Sequence, residues 1–400
     1  MKSYYLNIPS NVYSGLGSVD YIETVLNKEK VSNVIVFTDK GVRGSSFFSK
    51  IIEKIENTKI NYNIIDNLAT EPSYHDVEKV MEELNKYKSD FIIAVGGGSV
   101  MDIAKLCSIL KNASYTVKDL LKNPALGNKQ IKSLMIPTTC GTGSEATCNS
   151  IVSIPEEGLK VGIVNNSLIP DYVILDPTMI EKLPKKLIAS TGVDALAHCV
   201  ECLTSKKANP FSDLYALHQQ EHINPFSDLY ALAGGELIFN NIRKAYLNPD
   251  DMEAKTNMLI GAFYGGIAIT SSGTTAVHAL SYPLGGKYHI PHGISNAIMM
   301  SPVMEFNKDA CLEQFSRICN RLRPDMYKNT SEEKAEYIIN EIKNIVEVTE
   351  IPVSLKEFGV TIDDLDFLVE AGSKVTRLLS NNLKELNLND IKNIYLKVLN

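Results

Sequence analysis

From residue 31 to about residue 180, the sequence alternates between short β-branched runs and helix-length amphipathic segments, and this alternation limits the chain to a few folds. Strands are predicted at 31–38, 60–65, 90–95 and 133–136, and helices at 45–56, 77–87 and 101–110. Strands that alternate with helices form βαβ units, in which a parallel sheet carries helices on both faces. The first half of the chain is therefore predicted to be α/β with a parallel sheet.

The pattern changes after Asp176-Pro177, where the β-branched runs end and apolar residues recur at helical spacing. Long helices are predicted at 184–205 and 252–270. We place the boundary so that residues 1–180 form the α/β domain and residues 181–400 form an all-α domain. A cleft between two such domains is the expected place for a ligand.

Composition and charge exclude several classes of protein. With 40 basic against 47 acidic residues and no dense basic block, nucleic acid is not expected as a partner. The N-terminus is polar where a signal peptide would be apolar, and no stretch approaches the ~20 apolar residues that span a bilayer. Seven irregularly spaced cysteines are typical of reduced thiols. We expect a cytoplasmic protein without a membrane span or disulfides.

A nine-residue segment, Asn-Pro-Phe-Ser-Asp-Leu-Tyr-Ala-Leu, occurs at 209–217 and again at 224–232. Two copies do not make a repeat architecture, which needs at least three stacked units. Each copy begins with a good N-cap and a first-turn proline, and Pro225 would interrupt a continuous helix. We interpret the segment as a local duplication, with a helix break near 223–225 and the extra copy at the surface.

The predicted strand at 90–95 runs directly into Gly96-Gly97-Gly98-Ser99 and the helix that follows. Glycines permit close approach to the backbone, and the N–H groups of a helix start attract anions, so the loop is a candidate cradle for a pyrophosphate. The third glycine of the dinucleotide fingerprint is absent, because Met101 stands there. A tight glycine turn without a ligand is the alternative.

Two other strand ends carry polar residues that suit a cofactor. Asp39 follows the strand at 31–38, where a carboxylate can accept hydrogen bonds from a ribose and would repel a 2′-phosphate, which favours NAD over NADP. A helix or turn cap is the alternative for this residue. The loop at 137–147 is rich in hydroxyls and suits a ribose and a nicotinamide amide, although a capping loop would look the same.

Four residues of the second half form a candidate metal site: Asp194, His198, His278 and His292. Asp194 and His198 lie four apart in a predicted helix, which places them on one helical face. Three imidazoles and one carboxylate can hold Fe²⁺ or Zn²⁺ and leave a coordination position open for a substrate. Any pair alone would more often be a hydrogen bond or a buried core histidine.

Two other patterns point to metal less strongly. His218-Gln-Gln-Glu221-His222 matches the inverted zincin pattern, but it lies inside the duplicated stretch with no third ligand nearby. Cys199 and Cys202 have the spacing of half a zinc knuckle, yet no second pair exists. We predict that these two cysteines are buried small residues.

Together these motifs resemble the iron-containing (group III) alcohol dehydrogenase family. The resemblance spans about residues 5–308 and rests on GGGSVMD at 96–102, IPTTCGTGSEAT at 136–147, TGVDALAHCVE at 191–201, and HALSYPLGG with PHGISNA within 278–297. It implies a dinucleotide-binding α/β domain and an all-α domain, the dehydroquinate synthase-like architecture. It also implies metal-dependent hydride transfer between NAD(H) and a small alcohol or aldehyde in a homodimer.

The resemblance also assigns roles to individual residues. Its metal ligands fall on the four candidate residues, Asp194, His198, His278 and His292. Its cofactor contacts fall on three parts of the first domain: Asp39, which matches the position that discriminates against NADP; Gly97, Gly98, Ser99, Val100 and Met101 of the pyrophosphate loop, with Asp102 alongside; and Thr138, Thr139, Thr147 and Lys160. For the proton released with the hydride, His289 or a cofactor ribose hydroxyl is a candidate acceptor.

The sequence departs from the family at two places. The segment at 209–217 is usually present once, and many alcohol-reducing members have His where Tyr282 stands. Three alternatives therefore stay open. A zinc polyol dehydrogenase of the glycerol type and a catalytically impaired metal-binding homologue share the motifs, whereas a dehydroquinate synthase-like lyase would lack the HALSYPLGG and PHGISNA pattern.

Overall fold

The computed structural model describes residues 6–156, 159–208 and 225–399. It divides into two compact units, Asn7–Leu183 and the chain from Pro184 onward. The strands are β1 (Asn11–Ser14), β2 (Asn33–Phe37), β3 (Asn61–Ile65), β4 (Phe91–Gly96), β5 (Lys132–Pro137), β6 (Asn149–Ile154), β7 (Leu159–Val164) and β8 (Tyr172–Leu175).

Within the described residues, the first unit holds six α-helices and the second holds ten. Those of the first unit are α1 (Tyr21–Lys28), α2 (Lys40–Arg43), α3 (Ser46–Asn57), α4 (Tyr74–Leu84), α5 (Gly98–Leu110) and α6 (Val117–Lys122). Those of the second unit are α7 (Lys185–Leu203), α8 (Pro225–Leu247), α9 (Met252–Ser272), α10 (Ala276–Tyr288), α11 (His292–Asn307), α12 (Leu312–Leu322), α13 (Ser331–Val348), α14 (Leu365–Ser373), α15 (Thr376–Leu379) and α16 (Leu388–Leu399).

Six parallel strands form the sheet of the first unit, in the order β1-β8-β5-β4-β2-β3. Alternate residues of β2 face opposite cores: Ile35 and Phe37 pack with α4 and α5, whereas Val34 and Val36 pack with α1 and α3. Strands buried on both faces are apolar throughout, which is why they read as continuous β-branched runs. The predicted parallel α/β fold is confirmed.

Two elements of this unit begin earlier than predicted. Helix α4 starts at Tyr74, because Ser73 and Asp76 form a capping box at its N-terminus. Helix α5 starts at Gly98, so that the glycine loop supplies the first turn of the helix. The antiparallel hairpin of β6 and β7 was not among the predicted elements.

The described residues from Pro184 onward form helices joined by turns, as the all-α prediction requires. Helix α7 spans nearly all of the predicted 184–205 segment, and α9 spans the predicted 252–270 segment. Helix α8 begins at Pro225, within the second copy of the duplicated segment. The first copy, the expected helix break near 223–225 and the 218–222 pattern lie almost wholly in 209–224, outside the described residues.

All seven cysteines are buried thiols. Cys199 and Cys202, which belong to α7, are buried as predicted. Among the residues that the structure describes, no helix has the length and apolar composition needed to cross a bilayer.

Candidate metal centre

Three helices of the second unit carry the four predicted metal ligands. Helix α7 holds Asp194 and His198 one turn apart, α10 holds His278 in its first turn, and α11 begins at His292. Asp194, His198 and His278 are buried, whereas the side chain of His292 is 34% exposed. Solvent therefore reaches the cluster at His292.

The structure brings three of the four ligand groups together and places the fourth beside them. Asp194 Oδ1 lies 3.6 Å from His278 Nε2 and 3.6 Å from His292 Nε2. These three residues offer ligand atoms within 4.8 Å of one another. His198 Nε2 lies 3.8 Å from Asp194 Oδ1, and its ring stacks on His278 with centroids 4.9 Å apart. Because metal–ligand bonds measure about 2.1 Å, atoms 3.6 Å apart can share one ion.

Three of the four candidate ligand atoms lie around the side-chain nitrogen of Asn296. Its Nδ2 donates to Asp194 Oδ1 at 2.7 Å and lies 3.1 Å from His278 Nε2 and 3.2 Å from His292 Nε2. Its own Oδ1 is buried without a hydrogen-bond partner. The Asp194 oxygen and the Nε2 atoms of His278 and His292 therefore all face one point, as the ligand atoms of a cation do. The donor set, one carboxylate oxygen and imidazole nitrogens, suits Fe²⁺ or Zn²⁺.

The electrostatics of the cluster favour an ionised carboxylate among imidazoles. Burial opposes the charge on Asp194, but the surrounding His198, His292 and His278 outweigh it and hold the pKa of the carboxyl well below its usual range. Burial would lower the pKa of His278, yet Glu201 and Asp194 raise this pKa to about 9. The Asp194 carboxylate is thus ionised among the three imidazoles.

Sequence reasoning missed two residues of this cluster, Asn296 and Glu201. Glu201 is fully buried and contacts His278 Nδ1 through Oε2. A spacing signal was available for both: Asn296 lies four residues after His292 on α11, and Glu201 lies seven after Asp194 and three after His198 on α7. Residues at these spacings share a helical face with the ligands.

The glycine loop of the first unit has the geometry of a helix N-terminus directly after a strand. Strand β4 ends at Gly96, Gly97 precedes α5, and Gly98 to Val100 form its first turn. The N–H groups of this first turn come before the first intrahelical bond and are the ones that can meet an anion. A Cβ on Gly98 would lie 2.7 Å from Thr142 Cγ2, so glycine lets the two predicted cofactor loops touch.

A buried polar network joins these two loops. Lys105 on α5 has a fully buried side chain, and its Nζ donates to Ser144 O at 3.0 Å and to Thr147 Oγ1 at 2.9 Å. It also pairs with Asp102 Oδ1 at 3.1 Å, and Asp102 accepts hydrogen bonds from Ser144 Oγ and from Ile151 N. Asp102 and Thr147, both predicted to contact the cofactor, thus have protein partners in the structure.

The other predicted cofactor residues are placed as follows. Asp39 caps α2 by accepting a hydrogen bond from Val42 N at 2.9 Å. Lys160 forms an ion pair with Glu71 at 2.9 Å. The side chains of Val100 and Met101 are buried, and Thr138 is buried beside the partly exposed Thr139.

His289, the predicted proton acceptor, lies exposed at the C-terminal end of α10. Its backbone is left-handed, with φ of 55°. Tyr282 lies on the same helix, one turn after His278, with its ring centroid 6.2 Å from that of His292. Of these two residues, the structure therefore places Tyr282 next to the ring of a predicted ligand.

Comparison with known proteins gives consistent matches along the chain. Residues 9–177 match the family described as iron-containing alcohol dehydrogenase, and residues 218–399 match the C-terminal Fe-containing alcohol dehydrogenase family. Long-chain-alcohol dehydrogenase 1 of Geobacillus thermodenitrificans is 30% identical over 97% of this chain and 94% of its own length. NADPH-dependent butanol dehydrogenase of Clostridium saccharobutylicum is 28% identical over 97% and 96%. The crystal structure of a 1,3-propanediol oxidoreductase matches with a TM-score of 0.91 and 25% identity over 99% of this chain and 100% of that one.

Proposed function

Because this chain belongs to the iron-containing alcohol dehydrogenase family, a family of metal-dependent oxidoreductases, we propose that Asp194, His198, His278 and His292 hold Fe²⁺ at its active site. The observation that supports this most directly is the convergence of Asp194, His278 and His292 on one point. A divalent ion bound there supplies Lewis-acid polarisation of an alcohol or aldehyde oxygen.

The chain's own residues fix the direction from which a substrate arrives. Asp194, His198 and His278 are buried, so their ring and carboxylate planes are held by packing. His292 is the ligand in contact with solvent, and the small alcohol or aldehyde enters on its side. Tyr282 lies beside this ring and borders the same approach.

We propose NAD(H) as the hydride carrier, bound at the carboxyl ends of the parallel strands. The first turn of α5 offers N–H groups for the pyrophosphate, from Gly98, Ser99 and Val100. The hydroxyl loop, residues 137–147 with Thr138 and Thr139, lies against this first turn, where Gly98 approaches Thr142 closely. Asp39 at the end of β2 supplies the negative charge that disfavours a 2′-phosphate.

The cofactor preference is tested at Asp39, since the butanol dehydrogenase relative is named for NADPH. Asp39→Asn keeps an oxygen that can cap α2 but removes the charge. We expect the ratio of kcat/KM with NADPH to that with NADH to rise by roughly tenfold or more. An unchanged ratio would show that Asp39 acts as a helix cap alone.

The reaction is tested with a panel of alcohols and aldehydes, with Fe²⁺ or Zn²⁺ added anaerobically and NADH followed by absorbance. Metal-dependent turnover with small alcohols supports the proposal. Turnover of polyols with Zn²⁺ alone would indicate the zinc polyol dehydrogenase instead. One metal bound per chain with no turnover on any compound would indicate the impaired homologue.

We further propose a homodimer in the cytoplasm. The seven buried thiols fit a reducing compartment, and the dimer is what the family resemblance implies. Light scattering of the purified protein measures the mass in solution, and a monomer would contradict the dimer. As the acceptor of the released proton, His289 is proposed together with a cofactor ribose hydroxyl.

A further inference from the structure

We infer that Glu201 is a positioning residue that fixes the tautomer of His278 and thereby sets the affinity of the site for its metal. The inference rests on the proposed function, since it requires that His278 bind a metal through Nε2. Nothing in the sequence motifs assigned a role to Glu201. Its contacts are specific enough to separate this role from simple packing.

The first carboxylate oxygen of Glu201 is fully occupied by the start of α10. Oε1 accepts hydrogen bonds from Thr275 N at 3.0 Å, Thr275 Oγ1 at 2.7 Å and Val277 N at 2.8 Å. A fourth hydrogen bond comes from His278 N at 3.4 Å, and these four donors hold the carboxylate in a single orientation. They also favour its ionised form, because each donates to a negative charge.

The second oxygen then has one partner, the imidazole of His278. Oε2 contacts His278 Nδ1, and the Glu201 side chain has no exposed surface. A carboxylate can only accept hydrogen bonds, so Nδ1 must carry the hydrogen and donate it. A metal ion that takes the place of the second proton then binds at Nε2, and Nε2 is the atom 3.6 Å from Asp194 Oδ1.

This contact also joins the two helices that supply three of the proposed ligands. Glu201 belongs to α7, the helix of Asp194 and His198, whereas His278 belongs to α10. One buried side chain therefore sets both the ring orientation of His278 and its position relative to Asp194. Partners of this kind, placed behind a ligating histidine, typically change metal affinity by about 10- to 100-fold when mutated.

Glu201→Gln tests the inference because it is isosteric and inverts the hydrogen bond. The glutamine oxygen can still accept from Thr275 and Val277, but the amide N–H₂ group then faces His278 Nδ1. Nδ1 must then accept, so the neutral ring carries its hydrogen on Nε2, where the hydrogen competes with the metal. We expect the Kd for Zn²⁺, from competition with a chromophoric chelator, to rise roughly 10- to 100-fold. The visible spectrum of the Co²⁺-substituted variant should lose intensity or shift.

Thr275→Val is the matched control, because it removes one donor to Glu201 Oε1 and leaves the contact with His278. It should lower Tm by roughly a few degrees and change the Zn²⁺ Kd by no more than about twofold. If Glu201→Gln binds Zn²⁺ as tightly as wild type, or if both variants lose affinity equally, Glu201 acts only as a helix cap and the inference is wrong.

The wild-type protein separates this inference from the proposed function. If wild type binds no metal, the proposed metal centre fails. If wild type binds metal and Glu201→Gln matches it, only the role of Glu201 fails. Should Glu201→Gln not fold, Zn²⁺-loaded wild type labelled with ¹⁵N-histidine provides a second test. A downfield, slowly exchanging Nδ1–H signal that disappears in His278→Gln is expected, and its absence would overturn the inference.

Discussion

At the scale of single residues, the ligand cluster contains two kinds of histidine. His278 is buried against the Glu201 carboxylate, whereas His292 is partly exposed. Removing the His278 ring leaves the Glu201 carboxylate buried without its imidazole partner, which is costly. Removing the partly exposed ring of His292 costs much less. The two residues should therefore be alike in metal binding and unlike in folding.

We predict that His278→Ala and His292→Ala both abolish metal-dependent activity but differ in stability. Without metal, His278→Ala should lower the free energy of unfolding by about 3–5 kcal/mol, and His292→Ala by about 1 kcal/mol or less. Denaturant titrations of chelator-treated protein measure both. Equal losses would mean that the contact between His278 and Glu201 does not support the fold.

Glu145 predicts a pH dependence of stability in the first unit. It is 2% exposed, and burial raises the pKa of its carboxyl to about 7. Because the folded-state pKa lies above the unfolded value, the native protein binds the extra proton. The contribution of Glu145 to the free energy of unfolding is therefore fully present below about pH 4.5 and is lost as the pH rises through about 7.

Glu145→Gln removes this titration. The variant should be more stable than wild type at pH 8, by up to about 3 kcal/mol, and nearly equal to it at pH 4.5. Thermal or denaturant unfolding of both proteins at the two pH values measures the difference. A constant difference at both pH values would show that Glu145 does not titrate between them.

The proposed ligand residues could be named from the sequence, but the residues that contact them could not. Asp194, His198, His278 and His292 were found because their chemistry is visible in the residue types. Glu201 and Asn296 are supporting residues because of where their hydrogen bonds go, and a hydrogen-bond partner 77 or 102 residues away is fixed only by tertiary packing. Helical spacing places both residues on the faces that carry the proposed ligands, but it does not identify their hydrogen-bond partners.

At the scale of elements, the position of α11 depends on a very close contact with α7. A Cβ on Gly293 would lie 2.2 Å from the backbone oxygen of Ser190. Backbone cannot move aside as a side chain can, so a larger residue must push α11 away from α7. Because His292 directly precedes Gly293 and Asp194 lies one turn after Ser190, this displacement separates two proposed ligands.

We predict that Gly293→Ala weakens metal binding by roughly tenfold or more and lowers the free energy of unfolding by about 1–3 kcal/mol. Gly235→Ala is the control, because a Cβ there would meet Cys199 Cβ at an ordinary 3.6 Å. It should leave metal affinity unchanged and stabilise α8 by up to about 1 kcal/mol. Loss of metal affinity in the control as well would refute the argument from close approach.

Elements with strong periodicity were predicted well, and those defined by pairing were not. The buried strands β2 and β4 and the helices α7 and α9 follow from their apolar patterns. Strand β1 is four residues long and alternates in burial, and β6 and β7 are stabilised by pairing with each other. Short strands of this kind depend on a partner whose register the local sequence does not encode.

At the scale of the whole molecule, the predicted family and its alcohol oxidoreductase activity are confirmed, as are the parallel sheet and the helical second unit. The alternation of strands and helices in the first half and the helical spacing in the second half were sufficient to predict the fold, because both are local signals repeated along the chain. The family assignment needed the motifs. Which alcohol is used depends on pocket shape, for which the sequence carries no comparable signal.

Since all four proposed ligands belong to α7, α10 and α11, metal removal should act on one unit. We predict that chelation accelerates hydrogen exchange roughly tenfold or more in peptides covering 185–203, 276–288 and 292–307. Peptides covering β4 and β5 should be unaffected. Mass spectrometry with and without a chelator makes the comparison. Uniform acceleration over both units would contradict a metal site confined to the helical one.

The buried Lys105 network has a consequence for binding thermodynamics. It ties α5 to the hydroxyl loop through Asp102, Ser144 and Thr147. Segments already held by such contacts have little conformational freedom left to lose when a ligand arrives. The proposed dinucleotide site is therefore preorganised, so binding of the dinucleotide should carry a small ordering entropy, and its affinity should come chiefly from contacts with the dinucleotide itself.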